Sequence, residues 1–186
     1  MTTPSSSSDS ARPTRVVVQG VSGTGKSMTA RLLADRLGLP YVELDALNHG
    51  PGWVEATPEE LRAKVAPIVA QDAWVIDGSY RSKLGSMIHE RADTIVWLDL
   101  PIRVWLPRLA RRTLRRMVTR EELWNGNRER VRDLFERPNI FEWAFASHRR
   151  NRRTFEASVA RHADARLVRL RSPREVREYL GSLRVR

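Results

Sequence analysis

The sequence predicts an α/β fold, a parallel sheet covered by helices on both faces, and three observations predict it. Short β-branched or apolar runs alternate with stretches of helical spacing. Two of the helical stretches open with a hydroxyl cap, a proline and a glutamate in fixed order. A glycine-rich turn joins the first apolar run directly to the first helical stretch.

Residues 1–14 are rich in Ser, Thr and Pro and hold almost nothing apolar, so they are expected to remain a disordered tail. Residues 16–18, 41–44, 74–76, 94–98 and 167–170 read as buried strands, continuous in apolar character as strands of a parallel sheet are. Thr57-Pro58-Glu59-Glu60 and Ser172-Pro173-Arg174-Glu175 each spell a capping box with proline at the first helical position. Thr119-Arg120-Glu121-Glu122 repeats the cap and glutamate without proline. It predicts that the arginine-rich helix starting near Ile102 ends or bends around Val118 and that a new helical segment begins there. Asn125-Gly126-Asn127 reads as a tight turn, and Pro138 as a break before a helix running from about Ile140 towards Arg161.

With 186 residues the chain supports one substantial core, so one domain is expected over residues 15–186, with a lid and helical insertion at about 103–155. No apolar run approaches the length of a membrane span, and no signal-peptide pattern opens the chain. There is no cysteine for a disulfide or thiolate zinc site, and His49, His89, His148 and His162 are too scattered for metal-ligand spacing. A cytoplasmic location with no membrane partner is the expectation. The net charge is +11, and of the 33 Lys and Arg residues only Lys26, Lys64 and Lys83 are lysines. Guanidinium forks match phosphate oxygens two at a time, which points to anionic partners.

Gly20-Val21-Ser22-Gly23-Thr24-Gly25-Lys26-Ser27 fits G-x-x-x-x-G-K-[ST], between a strand ending at Gln19 and a helix opening at Lys26. Glycines let the backbone turn its N–H groups around phosphate oxygens, and the helix adds the positive end of its dipole. The expected cradle for ATP comprises Gly20, Ser22, Gly23, Thr24, Gly25, Lys26, Ser27 and Met28. Lys26 reaches the β and γ phosphates, and the Ser27 hydroxyl is offered to Mg²⁺. The metal also needs a carboxylate at a neighbouring strand end. Asp77 and Asp99 both qualify, and Asp77 is favoured because Gly78 follows it. Arg108, Arg111, Arg112, Arg115 and Arg116 recur at helical spacing with no acid four residues away, a cationic stripe that an anion should compensate.

The glycine turn, Asp77-Gly78-Ser79-Tyr80-Arg81, the strand to Asp99 with its arginine-rich helix, and residues 166–172 together resemble the adenylate kinase-like group of small P-loop kinases. The similarity is greatest to bacterial adenylate kinase-related or DNA topology modulation proteins. That resemblance implies a three-layer sandwich with a five-stranded parallel sheet of order 2-3-1-4-5, an acceptor segment after strand 2 and a lid after strand 4. It implies that Arg81 holds an acceptor phosphate, that Gly78 belongs to the acceptor wall, and that Arg111, Arg112 and Arg115 clamp the transferring phosphoryl group. The glycine turn itself looks closer to gluconate kinases, which carry a stretch similar to Asp45-Ala46-Leu47-Asn48-His49. By that likeness Asp45 accepts or orients the proton of an acceptor hydroxyl. Glu43 and His49 are weaker candidates, and Trp53 is expected to pack onto the core, the alternative being contact with an acceptor ring.

The expected function is therefore ATP-dependent phosphoryl transfer to a small acceptor, a nucleoside monophosphate or an alcohol. The rivals are an ATP-binding regulator associated with nucleic acid, argued only from charge and from the topology-modulation likeness, and a plain ATPase without an acceptor. No DNA-reading module is recognisable.

Overall fold

The computed structural model describes residues 12–129, 140–142, 144–146, 148 and 165–183. Five strands form one sheet: β1 (Arg15–Gly20), β2 (Tyr41–Glu43), β3 (Trp74–Asp77), β4 (Thr94–Leu98) and β5 (Arg166–Leu170). They pair in parallel in the order β2-β3-β1-β4-β5. The helices are α1 (Lys26–Leu37), α2 (Leu44–Asn48), α3 (Pro58–Val69), α4 (Arg81–Leu84), α5 (Ile102–Thr119) and α6 (Pro173–Ser182). Short 3-10 turns lie at Pro51–Trp53 and Trp124–Gly126. The described residues between 140 and 148 are helical.

Side chains alternate across a strand, so β1 serves two cores. Val17 joins Trp74, Ile76, Ile95 and Trp97 beneath Leu61, Val65 and Val69 of α3. Val16 and Val18 join Val75, Val96 and Leu98 against Ala30 and Leu33 of α1 and Leu180 of α6. Both faces of the sheet are therefore covered, which explains the unbroken apolar runs of β1, β3 and β4. A third cluster packs Val21 beneath the glycine turn against Trp105 and Leu109 of α5 and Ala144. The first half of α5 is thus core, and only its later turns project beyond it.

The expected elements hold with small shifts, because Leu44 leaves the strand to open α2 and Gly20, not Gln19, closes β1. The Thr57 box is complete: its hydroxyl accepts from the Glu60 N–H at 3.2 Å and Glu60 accepts from the Thr57 N–H at 2.8 Å. At Ser172 the hydroxyl caps Glu175, but the Glu175 carboxylate reaches back to the Arg171 N–H instead.

Thr119 departs from expectation. It is the last residue of α5, and its hydroxyl donates back to the Arg115 carbonyl at 2.8 Å. Arg120 takes a left-handed conformation with φ of 50°, and a 3-10 turn follows, not a helix. A hydroxyl that satisfies the preceding turn is no longer free to cap the next one. Residues expected in the N-terminal tail are also bonded: Arg12 donates to the Leu37 carbonyl, Pro13 is buried, and Asp93 accepts from the Thr14 and Arg15 N–H groups. Residues 1–11, the Pro138 break, most of the helix expected after it, and Arg149, Arg150, Arg152 and Arg153, a second arginine group in the sequence that is expected either to complete the lid or to be a solvated helix face, lie outside the described residues.

Candidate active site at the carboxyl ends of the strands

All five strands point the same way, so their carboxyl ends gather the loops that follow them, and β1 lies where the strand order reverses. The glycine turn leaves β1 there and closes on α1 at Gly25, the N-cap, with φ of 90°. Gly23 has φ of 86°, and a Cβ there would fall 2.4 Å from the Trp105 carbonyl oxygen. Only glycine satisfies both demands. Thr24 fastens the turn internally, its N–H and hydroxyl both reaching the Val21 carbonyl, at 3.2 and 2.7 Å. Ser22, Lys26 and Ser27 are half-buried around it, whereas Met28 is 66% exposed on the outer face of α1.

Asp77 ends β3 in register with Val18 and is buried. The Tyr41 hydroxyl approaches its Oδ2 at 3.4 Å, and Oδ1 is buried without a hydrogen-bond partner. Burial pushes this carboxyl above its ordinary range, and the Lys26 charge and the Ser27 hydroxyl beside it pull it part of the way back. Asp99 is differently placed. It accepts from Arg169 Nε and Nη2 at 3.0 and 2.7 Å, an ion pair between β4's end and β5. Glu43, beside Asp77 in the β2–β3 register, is paired with Arg31 at 3.1 Å.

The chain therefore has a sheet, a glycine turn and a strand-end carboxylate with one unpartnered oxygen in the arrangement of the P-loop kinase fold. Comparison with known proteins agrees. Residues 16–77 match the model of the ATPase family associated with various cellular activities (AAA). Among solved structures, a gluconokinase from Sinorhizobium meliloti 1021 is 23% identical, with 92% of this chain and 91% of that chain covered at a TM-score of 0.52. The shikimate kinase from Acinetobacter baumannii in complex with shikimate is 14% identical, with 90% and 89% covered at a TM-score of 0.56. No curated protein matches the sequence.

A second group of side chains faces this P-loop. Asp45, in the first turn of α2, accepts a hydrogen bond from the Tyr80 hydroxyl at 2.7 Å, and His49 Nε2 lies 3.2 Å from the same oxygen. The charge of Asp45 is felt by Asp77 on one side and by Arg112 on the other. Arg112 is half-buried, its Nε is buried without a partner, and burial together with neighbouring Arg116 lowers its affinity for its proton. Gly78 has φ of 103° and sits against Leu44, and Arg81 opens α4 half-buried.

The arginine stripe divides in the structure. Arg112 and Arg116 turn inward, while Arg108, Arg111 and Arg115 are exposed. Acids beyond the helix end fold back onto it: Glu121 pairs with Arg115 at 2.8 Å, and Glu129 pairs with Arg116 at 3.0 Å. Part of the stripe's charge is thus compensated within the chain, at Arg115 and Arg116. Trp53 does not join the core. It is 36% exposed and meets His49 and Trp124, with ring centroids 5.5 and 6.4 Å away. Nothing in the sequence points to Tyr80 or to the Trp124–Asn127 segment as part of the site, and within the stripe nothing sets Arg116 apart. Tyr80 stands inside the quoted run from Asp77 to Arg81, but its φ of 38° and its partner 35 residues away have no local signature.

Proposed function

We propose that the chain is a small-molecule kinase that passes the terminal phosphoryl group of Mg·ATP to the hydroxyl of a small acceptor. The observation carrying this reading is Asp77, a buried carboxylate with an unpartnered oxygen, set beside Lys26 and Ser27 of the glycine turn and within electrostatic reach of Asp45. A buried polar atom without a partner costs free energy, and a cation or its water at that oxygen removes the cost. Ser27 and Asp77 would hold Mg²⁺, and the N–H groups of residues 20–27 with Lys26 would hold the triphosphate. Bound Mg·ATP supplies the transferable phosphoryl group.

Asp45 accepts the proton of the acceptor hydroxyl as that oxygen bonds to the γ phosphorus. The bond from phosphorus to the bridging oxygen breaks, and ADP leaves. Arg112, whose Nε is buried without a partner and which feels the Asp45 charge, stabilises negative charge on the transferring oxygens. Arg81 at the start of α4 binds an anionic group of the acceptor. An acid, Asp45, within electrostatic reach of both Asp77 and Arg112 favours an alcohol over a nucleoside monophosphate, and the fold shared with a gluconokinase and a shikimate kinase puts sugar acids and shikimate-like alcohols first in any panel.

The test is a coupled ADP-release screen over sugar acids, shikimate-like alcohols, nucleosides and nucleoside monophosphates, with Lys26→Ala as the control. Acceptor-dependent ADP release, lost in Lys26→Ala and in Asp45→Ala, is expected. If loss instead follows Arg81→Ala with Asp45→Ala active, the acceptor is a nucleoside monophosphate. Failure of folded protein to take up ATP with saturating Mg²⁺ in calorimetry overturns the reading.

A further inference from the structure

Asp45 does not stand alone. The Tyr80 hydroxyl has a single proton, and the 2.7 Å contact gives it to Asp45 Oδ1. Burial, with the Asp45 charge beside it, pushes the Tyr80 hydroxyl well above its ordinary range, so the proton stays in place at physiological pH. The lone pairs of that oxygen then face His49 Nε2 at 3.2 Å, which makes Nε2 the protonated nitrogen of the ring. Tyr80 reaches this position in a left-handed conformation, φ 38°, that a non-glycine residue holds only at a cost. The order is His49 Nε2–H to Tyr80 Oη–H to Asp45.

The outer end of this chain is held by a segment distant in sequence. Trp124 stacks on the His49 ring, centroids 6.0 Å apart and planes at 23°, and Trp53 meets the same ring edge-on. Asn127 is buried, accepting from the Trp53 N–H at 2.9 Å and donating to the Gly50 and Trp124 carbonyls, each at 2.9 Å. Asn125 donates to the His49 carbonyl itself. Residues 124–127, which follow α5, are thus stitched to residues 49–53, which follow α2.

We propose that His49 and Tyr80 are positioning residues that orient the Asp45 carboxylate, and that docking of residues 124–127 onto residues 49–53 sets this relay. The proposal rests on the phosphoryl-transfer reading, in which Asp45 meets the acceptor. Closing the segment after α5 then does more than exclude water: it completes the group that takes the proton.

Long-range 1H–15N correlation of the His49 imidazole in the full-length protein tests the relay without any acceptor. The wild type is expected to show the Nε2–H form. Tyr80→Phe removes the partner of Nε2 and Trp124→Ala removes the stacked ring, so each is expected to shift both ring nitrogens towards the average of the two tautomers. An Nδ1–H wild type, or a Tyr80→Phe spectrum identical to it, overturns the relay; a Trp124→Ala spectrum identical to the wild type overturns the docking step. With whichever acceptor releases ADP, Tyr80→Phe is expected to lower kcat about 10- to 100-fold, the penalty of a small misplacement, while KM for Mg·ATP stays within about twofold. Unchanged kcat overturns the positioning role. If the wild type neither binds Mg·ATP nor uses any acceptor, the phosphoryl-transfer reading fails while the imidazole spectra still decide the relay.

Discussion

Arg169 donates from both Nε and Nη2 to one oxygen of Asp99, while its guanidinium lies 4.2 Å over the Trp97 ring. The Asp99 side chain is 1% exposed. Removing the arginine takes a charged partner from a buried carboxylate, so Arg169→Ala is expected to cost about 3 kcal/mol in urea unfolding. Because Asp99 already has this partner, Asp99→Asn is expected to change stability and leave the Mg²⁺ dependence of ATP binding intact.

Asp77 is expected to behave in the opposite way. Burial raises its folded value above the unfolded one, so between the two the folded chain keeps a proton that the unfolded chain has released. Unfolding free energy therefore falls as pH climbs through that window and stays lowered above it. Asp77→Asn should remove this slope, leave the ligand-free protein more stable than the wild type at neutral pH, and abolish the tightening of ATP binding by Mg²⁺. Urea unfolding across pH and calorimetry with and without Mg²⁺ measure the two effects.

Gly23→Ala is expected to destabilise by roughly 2–4 kcal/mol, since the added methyl both meets the Trp105 carbonyl at 2.4 Å and forces a left-handed alanine. Thermal unfolding reads the loss, and ATP affinity is expected to fall with it.

Two threonines written in the same local pattern separate cleanly. Thr57→Ala breaks a complete capping box and is expected to cost about 1 kcal/mol, a fall of roughly 2–4 °C in Tm for a chain of this size. Thr119→Ala removes only a bond back to Arg115 and is expected to stay within about 0.5 kcal/mol of the wild type.

Those threonines also show where sequence reading succeeds. Gly23, Gly25, Lys26 and Thr57 answer to neighbours a few residues away, and the pattern names both partners. The strands followed from apolar runs, and their order 2-3-1-4-5 from the family likeness, which the pairing of β1 with β3 and β4 bears out. Nothing local ties Arg169 to Asp99, Tyr80 to Asp45, or Glu129 to Arg116, pairs brought together only when the sheet and α5 are assembled. The stripe on α5 was read without the acids beyond its end, and Thr119 without the carbonyl it turns back to satisfy.

The seam between residues 49–53 and 124–127 joins two asparagine amides to main-chain carbonyls and an N–H, and adds the rings of His49, Trp53 and Trp124. Such a joint fixes the residues that make these contacts and leaves the side chains between them unconstrained. Pro51 and Val54, whose side chains take no part in these contacts, can be exchanged in evolution or by design while the closure persists, so a lineage can change what it accepts without relearning how to shut.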